Sequence, residues 1–534
     1  MKKKRVLRYT TFTTIILLLG ILILINLISI NIFTRVDLTE GKIFTLSKAS
    51  KETVRNLEDR LTVKAYFSKD LPAPYSSNAR YLKDQLDEYR ANSNGRFHYE
   101  FVDPGSEEEL EKEARDFQIM PVQVQVIESD KIEVKRVFMG LVFLYHDKHE
   151  TIPIVQTTSG LEYEITSTVK KITADRIPNI GFLQGHGEPD PAENMTVVMG
   201  GLSKNYNVVP IDLTEGKTIP DTMDALFIIS PTAEFSDWDL FCIDQFIMKG
   251  GKAAFLLNKI DANLQESRAV KANLNIDNFC RNFGFRINDD LVYDQHCGLV
   301  SIQEQRGWMT IRTQVQYPFF PLLTNFSQDN SMVRDLEDLG MFFPSSIDTS
   351  LAFEKGAALE VLVTSSEKSN RQTGRYDINP TSPGFKKLTF AESHIPLGIT
   401  LIGSFSSYFK DKEIPLIDEF LDDKSIYSKA YEGEVIEESP ETRLIVMGDG
   451  HFPQDIFMNT RSNADFFLNM ADWLAQDESL IHIRTREVTA RPLTEISEGL
   501  KRFVKYSNIL APSLIVILIG VIRWQIRRSK RVEI

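Results

Sequence analysis

Asn179-Ile-Gly-Phe-Leu183, running straight into Gln184-Gly-His-Gly-Glu188, is the stretch that decides the fold. A short apolar run closed by a glycine loop reads as a buried strand, and Pro191 then opens a helix reaching about Tyr206. The same unit recurs. Tyr206 to Ile211 reads as a strand ending in Asp212, and Ala225-Leu-Phe-Ile-Ile-Ser230 as a buried strand. Phe235 to Lys249 reads as a helix with Ser236 as N-cap, stopped by Gly250-Gly251, and Lys252-Ala-Ala-Phe-Leu-Leu257 as the next strand. Repeated units of this size predict an open, mostly parallel sheet covered by helices on both faces. Arg443-Leu-Ile-Val-Met447 is apolar in the same way and is expected to rejoin that sheet, feeding Gly448-Asp-Gly-His-Phe452.

Residues 177–490 are therefore expected to form one α/β domain with insertions, of the flavodoxin or class I glutamine amidotransferase type. Ser462 with Asp465 suggests a capping-box start for a helix carrying Phe466, Phe467, Met470, Trp473 and Leu474 on one broad face. Ile481 to Arg484 and Glu487 to Ala490 read as final strands. Upstream, residues 59–158 show the order β-α-β-α-β-β of a thioredoxin-like domain. Its strands are expected at Leu61–Phe67, Phe97–Val102, Val122–Val126, Lys135–Tyr145 and Thr151–Val155. It lacks redox cysteines, so it is expected to be redox-inert. Residues 159–176 read as a helical connection.

The two ends differ from the middle. Residues 1–11 form a basic tail and 12–33 carry no charge; those 22 residues would span roughly 33 Å, enough for a transmembrane helix. Residues 34–58 then read as a juxtamembrane collar, with Ser47 capping a helix to about Leu57. At the other end 491–505 reads as a juxtamembrane helix, 506–524 as a second transmembrane helix and 525–534 as a second basic tail. Lys505 and Arg523 can snorkel, and Tyr506 and Trp524 suit the interface. Five basic residues flank each span, which puts both termini in the cytoplasm, the large domain in the periplasm and the chain in a bacterial inner membrane. Removing those flanks from the totals of 61 basic and 74 acidic residues leaves 51 and 73, a net charge of −22 between the spans. So acidic a region argues against a nucleic-acid partner.

The 534-residue chain has three cysteines, Cys242, Cys280 and Cys297, too few for a disulfide scaffold, although Cys280 and Cys297 could pair. The Cys and His residues are too scattered for a metal site. No cofactor and no ATP-binding signature is indicated.

Gly185-His-Gly-Glu188 lies at a strand end, where open α/β sheets bind ligands. Gly185, His186, Gly187 and Glu188 are thus candidate ligand-binding residues, and His186 with Glu188 could act as an acid–base pair. Equally, the glycines could make a tight turn with His186 hydrogen-bonded to a neighbouring loop. Asp449, in a second strand-end loop, could bind a cation or cap the next element. The strand end Leu256-Leu257-Asn258-Lys259 offers no Cys or Ser at the elbow where an amidotransferase places its nucleophile. No catalytic residue is assigned.

Several of these stretches together resemble the auxiliary, so-called substrate-binding, component of bacterial ABC transporters of the gliding-motility (GldG) type. The resemblance is carried by Arg35-Val-Asp-Leu-Thr39, Phe44-Thr-Leu-Ser47, Gly185-His-Gly-Glu188 and Val446-Met-Gly-Asp-Gly450. It is also carried by Asn469-Met-Ala-Asp-Trp-Leu474 and Ile481-His-Ile-Arg484. His451 departs from it, standing where a carboxylate is expected in relatives. The resemblance implies a non-enzymatic accessory subunit that works with a separate permease and a separate ATP-binding subunit, linked to gliding motility, for an unknown small-molecule or protein ligand. The alternatives are an extracytoplasmic interaction protein without a small ligand, or an amidotransferase-like hydrolase using His186 and Glu188.

Overall fold

Leu61, Val63 and Ala65 alternate inward along β1 (Leu61–Phe67), the centre of the first sheet. β2 (Phe97–Val102) lies parallel to it, while β3 (Val122–Glu128) and β4 (Lys131–Val137) pair only with each other. β5 (Met139–Tyr145) pairs antiparallel with β1 and with β6 (Lys148–Ile152), giving the order β2-β1-β5-β6. The strand expected over Lys135–Tyr145 is thus two strands. Phe138 separates them: its N–H donates to Ser68 Oγ, and its carbonyl accepts from the Ser68 N–H.

The computed structural model describes residues 45–475 apart from 74, 129–130, 307–308, 421–425 and 459–460, together with 17, 480, 481, 483, 505, 517 and 519–524. It divides into two units, Met1–Thr489 and Ala490–Ile534; the described residues of the second are helical.

Helix α1 (Lys48–Arg55) is capped by Ser47, whose Oγ accepts from the Ser50 N–H at 3.1 Å. It docks through a buried polar cluster onto α3 (Leu161–Thr173), while α2 (Tyr75–Asn92) covers the same side of the first sheet. Glu162 Oε1 accepts from the Ser47 N–H at 2.7 Å and from Ser50 Oγ at 2.6 Å. Thr166 Oγ1 bonds Ser50 Oγ at 2.8 Å and Tyr89 of α2 at 2.6 Å. Ala49 packs against Leu480 and Ile483, so the start and the end of this unit meet. Ile481 and Ile483, expected in a strand, are helical, and Glu487–Ala490 lies outside the described residues.

The larger sheet has eight strands. In chain order they are β7 (Asn179–Gln184), β8 (Asn207–Asp212), β9 (Ala225–Ile229), β10 (Lys252–Leu256), β11 (Asn325–Phe326), β12 (Ala358–Thr364), β13 (Pro396–Gly403) and β14 (Thr442–Met447). In space they run β11-β12-β13-β14-β10-β9-β7-β8. β14, β10, β9, β7 and β8 are mutually parallel, with Ala253 between Leu444 and Leu226. β13, β12 and β11 extend that group through antiparallel pairings, so four of the seven pairings are parallel and the sheet carries an antiparallel extension at one side.

Period-two side-chain alternation splits β10 between two cores. Ala253 and Phe255 face α5 (Asp237–Met248); Ala254 and Leu256 face α4 (Thr196–Leu202) and α6 (Arg461–Ala475). Ser236 Oγ accepts from the Asp239 N–H and the Asp239 carboxylate accepts from the Ser236 N–H, a full capping box that fixes the start of α5. α6 starts at Arg461, ahead of the expected cap Ser462. All three cysteines are free.

Two expectations are overturned. Among the described residues no helix is long and apolar enough to cross a membrane. The transmembrane helices expected at each end, and the inner-membrane placement with a periplasmic domain that rests on them, are thus not met by any described helix, and the described fold is mixed α/β with several sheets. Residues 12–33 lie outside the described residues except Leu17, and of 506–524 only 517 and 519–524 are described. As a helix, the mostly apolar part of the second segment, 509–522, would extend only about 21 Å against a hydrocarbon core of about 30 Å.

Candidate functional site

The chain leaves β7 for β8 on one side and returns to β9 on the other, so the strand order reverses between β7 and β9. In open α/β sheets the loops at the carboxyl ends diverge at such a point and leave a crevice. Here a cavity of about 430 Å³ opens beside it, at the carboxyl ends of β9, β10 and β14. Ser230, Thr232, Glu234, Asn258, Asp261 and His451 are among its lining residues.

Gly185-His-Gly-Glu188 stands behind this cavity rather than in it. Gly185 and Gly187 take φ values of 110° and 78°, which favour glycine, and a Cβ on Gly187 would overlap Thr232 Oγ1. The turn drives His186 into the protein. Its ring is buried, stacked on Phe235 with centroids 4.3 Å apart. Nε2 lies 3.0 Å from Asp239 Oδ2, and Nδ1 lies 3.3 Å from Glu188 Oε1, at ion-pair distance but off hydrogen-bond geometry. Glu188 Oε2 accepts the His186 backbone N–H at 2.7 Å. The His186 carbonyl accepts from Thr232 and Ala233, both at 2.8 Å, and so holds the loop that forms the cavity wall.

The electrostatics match this geometry. Burial pushes the His186 imidazole down, but Asp239 and Glu188 outweigh it and hold the group up at about 9. Burial pushes the Asp239 carboxyl up, and the His186 and Ser236 hydrogen bonds reverse that and keep it below the usual carboxylate range. A buried imidazolium between two carboxylates is a clamp, with no Ser or Cys among its contacts that could act as a nucleophile.

Asp449 is not brought together with His186 and Glu188. It lies fully buried beyond β14. Its Oδ1 accepts from Asn258 Nδ2 at 3.1 Å and from the His451 N–H at 2.8 Å, and lies 3.1 Å from His451 Nδ1. Its Oδ2 accepts from the Phe342 N–H at 2.8 Å. These contacts occupy both oxygens, so Asp449 faces no open space for a cation, and among the described residues no group of His, Cys, Asp and Glu could hold a metal. What it does face is His451, which is part-exposed at the cavity. Burial pushes the His451 imidazole down, and Asp449 reverses this and raises it.

Three members of the site had not been singled out from the sequence. Ser230 adopts φ 47° and donates from Oγ to Asn258 Oδ1 at 2.7 Å. Asn258 also accepts the Gly450 N–H at 2.9 Å. Asp239 is the third. Ser230-Pro231 directly after an all-apolar strand was the available turn signal, and Ser236-x-x-Asp239 the available capping signal.

Residues 177–470 match a family described as an ABC-type uncharacterized transport system, and residues 40–144 match a domain of unknown function. An uncharacterized protein of Borreliella burgdorferi is 23% identical over 551 residues, covering 99% of each chain. Among solved structures, the mmIFT52 N-terminal domain is similar with a TM-score of 0.34 and 10% identity, over 56% of this chain and 98% of that one. The exo-β-1,4-mannosidase Op5Man5 from an Opitutaceae bacterium reaches a TM-score of 0.26 at 10% identity, over 76% of this chain and 51% of its own. At these scores neither likeness bears on the site. The family match does: it spans more than half of the chain, including every strand of the eight-stranded sheet and the cavity-lining residues, and the protein belongs to the ABC-type uncharacterized transport system family.

Proposed function

We propose that this chain is a non-enzymatic accessory subunit of an ABC transport system, working beside a separate permease and a separate ATP-binding subunit, and linked to gliding motility as in the GldG type. The family match over residues 177–470 supports the transport-system part of this reading. The clamp at His186 supports its non-enzymatic part. The side chain best suited to acid–base chemistry in that loop is committed to Asp239 and Glu188 and stacked on Phe235, which gives a hydrolase mechanism no reactive group to start from.

The test is co-purification. The tagged full chain, co-expressed with the ABC permease and ATP-binding subunit of its organism, is expected to retain both through affinity and size-exclusion steps. Loss of both partners while they remain stably expressed overturns the assignment.

A further inference from the structure

The buried Asp449 and the part-exposed His451 form a second carboxylate–imidazole pair, and unlike the His186 clamp this one borders open space. We propose that the cavity between Ser230, Asn258, Asp261 and His451 binds a small zwitterionic solute, an α-amino acid or a compound of the same charge pattern. Its carboxylate would sit on His451 Nε2 and its ammonium group toward Asp261 and Glu234.

The donor end comes first. His451 Nδ1 is engaged on the inner side of the ring, 3.1 Å from Asp449 Oδ1, 3.2 Å from the Phe342 carbonyl and 2.9 Å from Asn258 Nδ2. With a proton on Nδ1, the buried Asp449 carboxylate favours the imidazolium, in which Nε2 is also an N–H, over the neutral Nδ1–H ring, whose Nε2 is an acceptor. If Asn258 instead donates to Nδ1, the neutral tautomer again places the proton on Nε2. In both arrangements an N–H donor is left with no acceptor among the described residues, on a ring that lines the cavity. It calls for an anionic oxygen.

The acceptor end is equally defined. Asp261 and Glu234 border the same cavity, and the Asp261 charge reaches His451. Asp261 is half-exposed and pairs with Arg268 at 2.9 Å, while Glu234 accepts from the Asn273 amide. Surface pairings of this kind contribute about 0–1 kcal/mol, so a ligand cation can displace them. The cavity thus has a cationic group at His451 and carboxylates at Asp261 and Glu234, while its lining Lys271 is paired with Asp289. A phosphate dianion would meet repulsion from those carboxylates. A neutral polyol would desolvate charged groups without pairing them.

The remaining features are those of a held site. Its volume of about 430 Å³ suits a small molecule. Ser230 keeps a strained φ of 47° on the wall, fixed through Asn258, and such strain persists where surrounding structure over-determines it.

This inference deepens the accessory-subunit reading by naming a ligand class, and its test can fail without that reading failing. The purified full chain is titrated by thermal shift and calorimetry with the standard L-amino acids, with acetate, inorganic phosphate and glycerol as comparators. At least one amino acid is expected to raise Tm and bind. Its affinity should fall tenfold or more in His451→Gln and in Asp261→Asn, and stay unchanged in Asp221→Asn, an exposed residue lining a different cavity. Should His451→Gln fail to fold, Asp261→Asn carries the test at the surface. Stabilisation by phosphate or glycerol but by no amino acid overturns the proposal. So does an amino acid whose binding ignores both variants, and so does no binding at all. None of these outcomes alters co-purification with transporter subunits.

Discussion

His186 Nε2 stands 3.0 Å from Asp239 Oδ2, and that same carboxylate oxygen also accepts the Ser236 N–H and the Ser236 hydroxyl. One carboxylate therefore closes the capping box of α5 and neutralises a buried imidazolium. Through the His186 carbonyl the pairing reaches Thr232 and Ala233, so the helix start, the β7 loop and the cavity wall form one connected piece.

This connection makes stability depend on pH in a defined window. His186 is held at about 9 in the fold, above the ordinary 6.5. A raised folded value means stability is complete below about pH 6.5 and is lost as pH climbs through about 9. Linkage converts that rise into about 3 kcal/mol. Urea midpoints between pH 6 and 10 should fall accordingly, and His186→Gln should flatten that dependence while lowering stability at neutral pH. A profile in the parent chain that is flat across this range would remove His186 from the charged state assigned to it.

The turn before the clamp is tested by its second glycine. Gly187→Ala meets two penalties, a left-handed backbone at φ 78° and an overlap of the new Cβ with Thr232 Oγ1. A loss of about 2 kcal/mol is expected, the backbone part being about 1 kcal/mol. Thr232→Ala in the same chain removes the overlap and not the strain, so it should restore part of the loss and show a coupling energy in a double-mutant cycle. Additive losses would mean that the two residues do not touch.

These two cases also show what a sequence can disclose. The apolar runs at β7, β9, β10 and β14 were legible because a parallel strand buried on both faces carries no polar alternation. The Ser236 cap was legible because capping is local. The antiparallel extension β11–β13 was not: β12 is half-exposed along most of its length and reads as surface chain until its pairing with β13 is known. The Gly185–Glu188 loop was visible, yet its partner Asp239 lies 53 residues on, within a predicted helix, and nothing local joins the two. His451 stood out as a departure from a family pattern, but its setting depends on Asn258, 193 residues away, and Phe342, 109 residues away. The membrane spans expected from the apolar counts at the two ends are not matched by a helix of spanning length among the described residues.

Glu162 tests the docking of the first helix. Its Oε1 is the shared acceptor for the Ser47 N–H and the Ser50 hydroxyl within a buried cluster. Glu162→Ala strands the Ser47 N–H, at about 1–3 kcal/mol, and leaves the Ser50 hydroxyl with Thr166 and Ser47 alone. Cleavage by a protease within α1 should accelerate, while cleavage in the 365–393 stretch of the other sheet's insertion should not change. Equal acceleration at both would place the effect in global unfolding instead.

Asp449→Asn separates the support of His451 from its exposure to the cavity. The native carboxylate satisfies three N–H groups and the His451 ring with two oxygens. An amide keeps one oxygen and turns the other position into a donor, so at least one N–H faces another N–H in a site without water access. Breaking such a buried charged arrangement costs about 3–5 kcal/mol. The electrostatic outcome is independent of that loss: with the carboxylate gone, burial is left to dominate, and the His451 pKa should drop from its raised position. Imidazole resonances followed by NMR across pH report this directly, provided the spectrum of the variant remains folded. If the His451 midpoint stays where it was, Asp449 is not its counter-ion, and its raised position must come from the Phe342 carbonyl and the Asp261 charge instead.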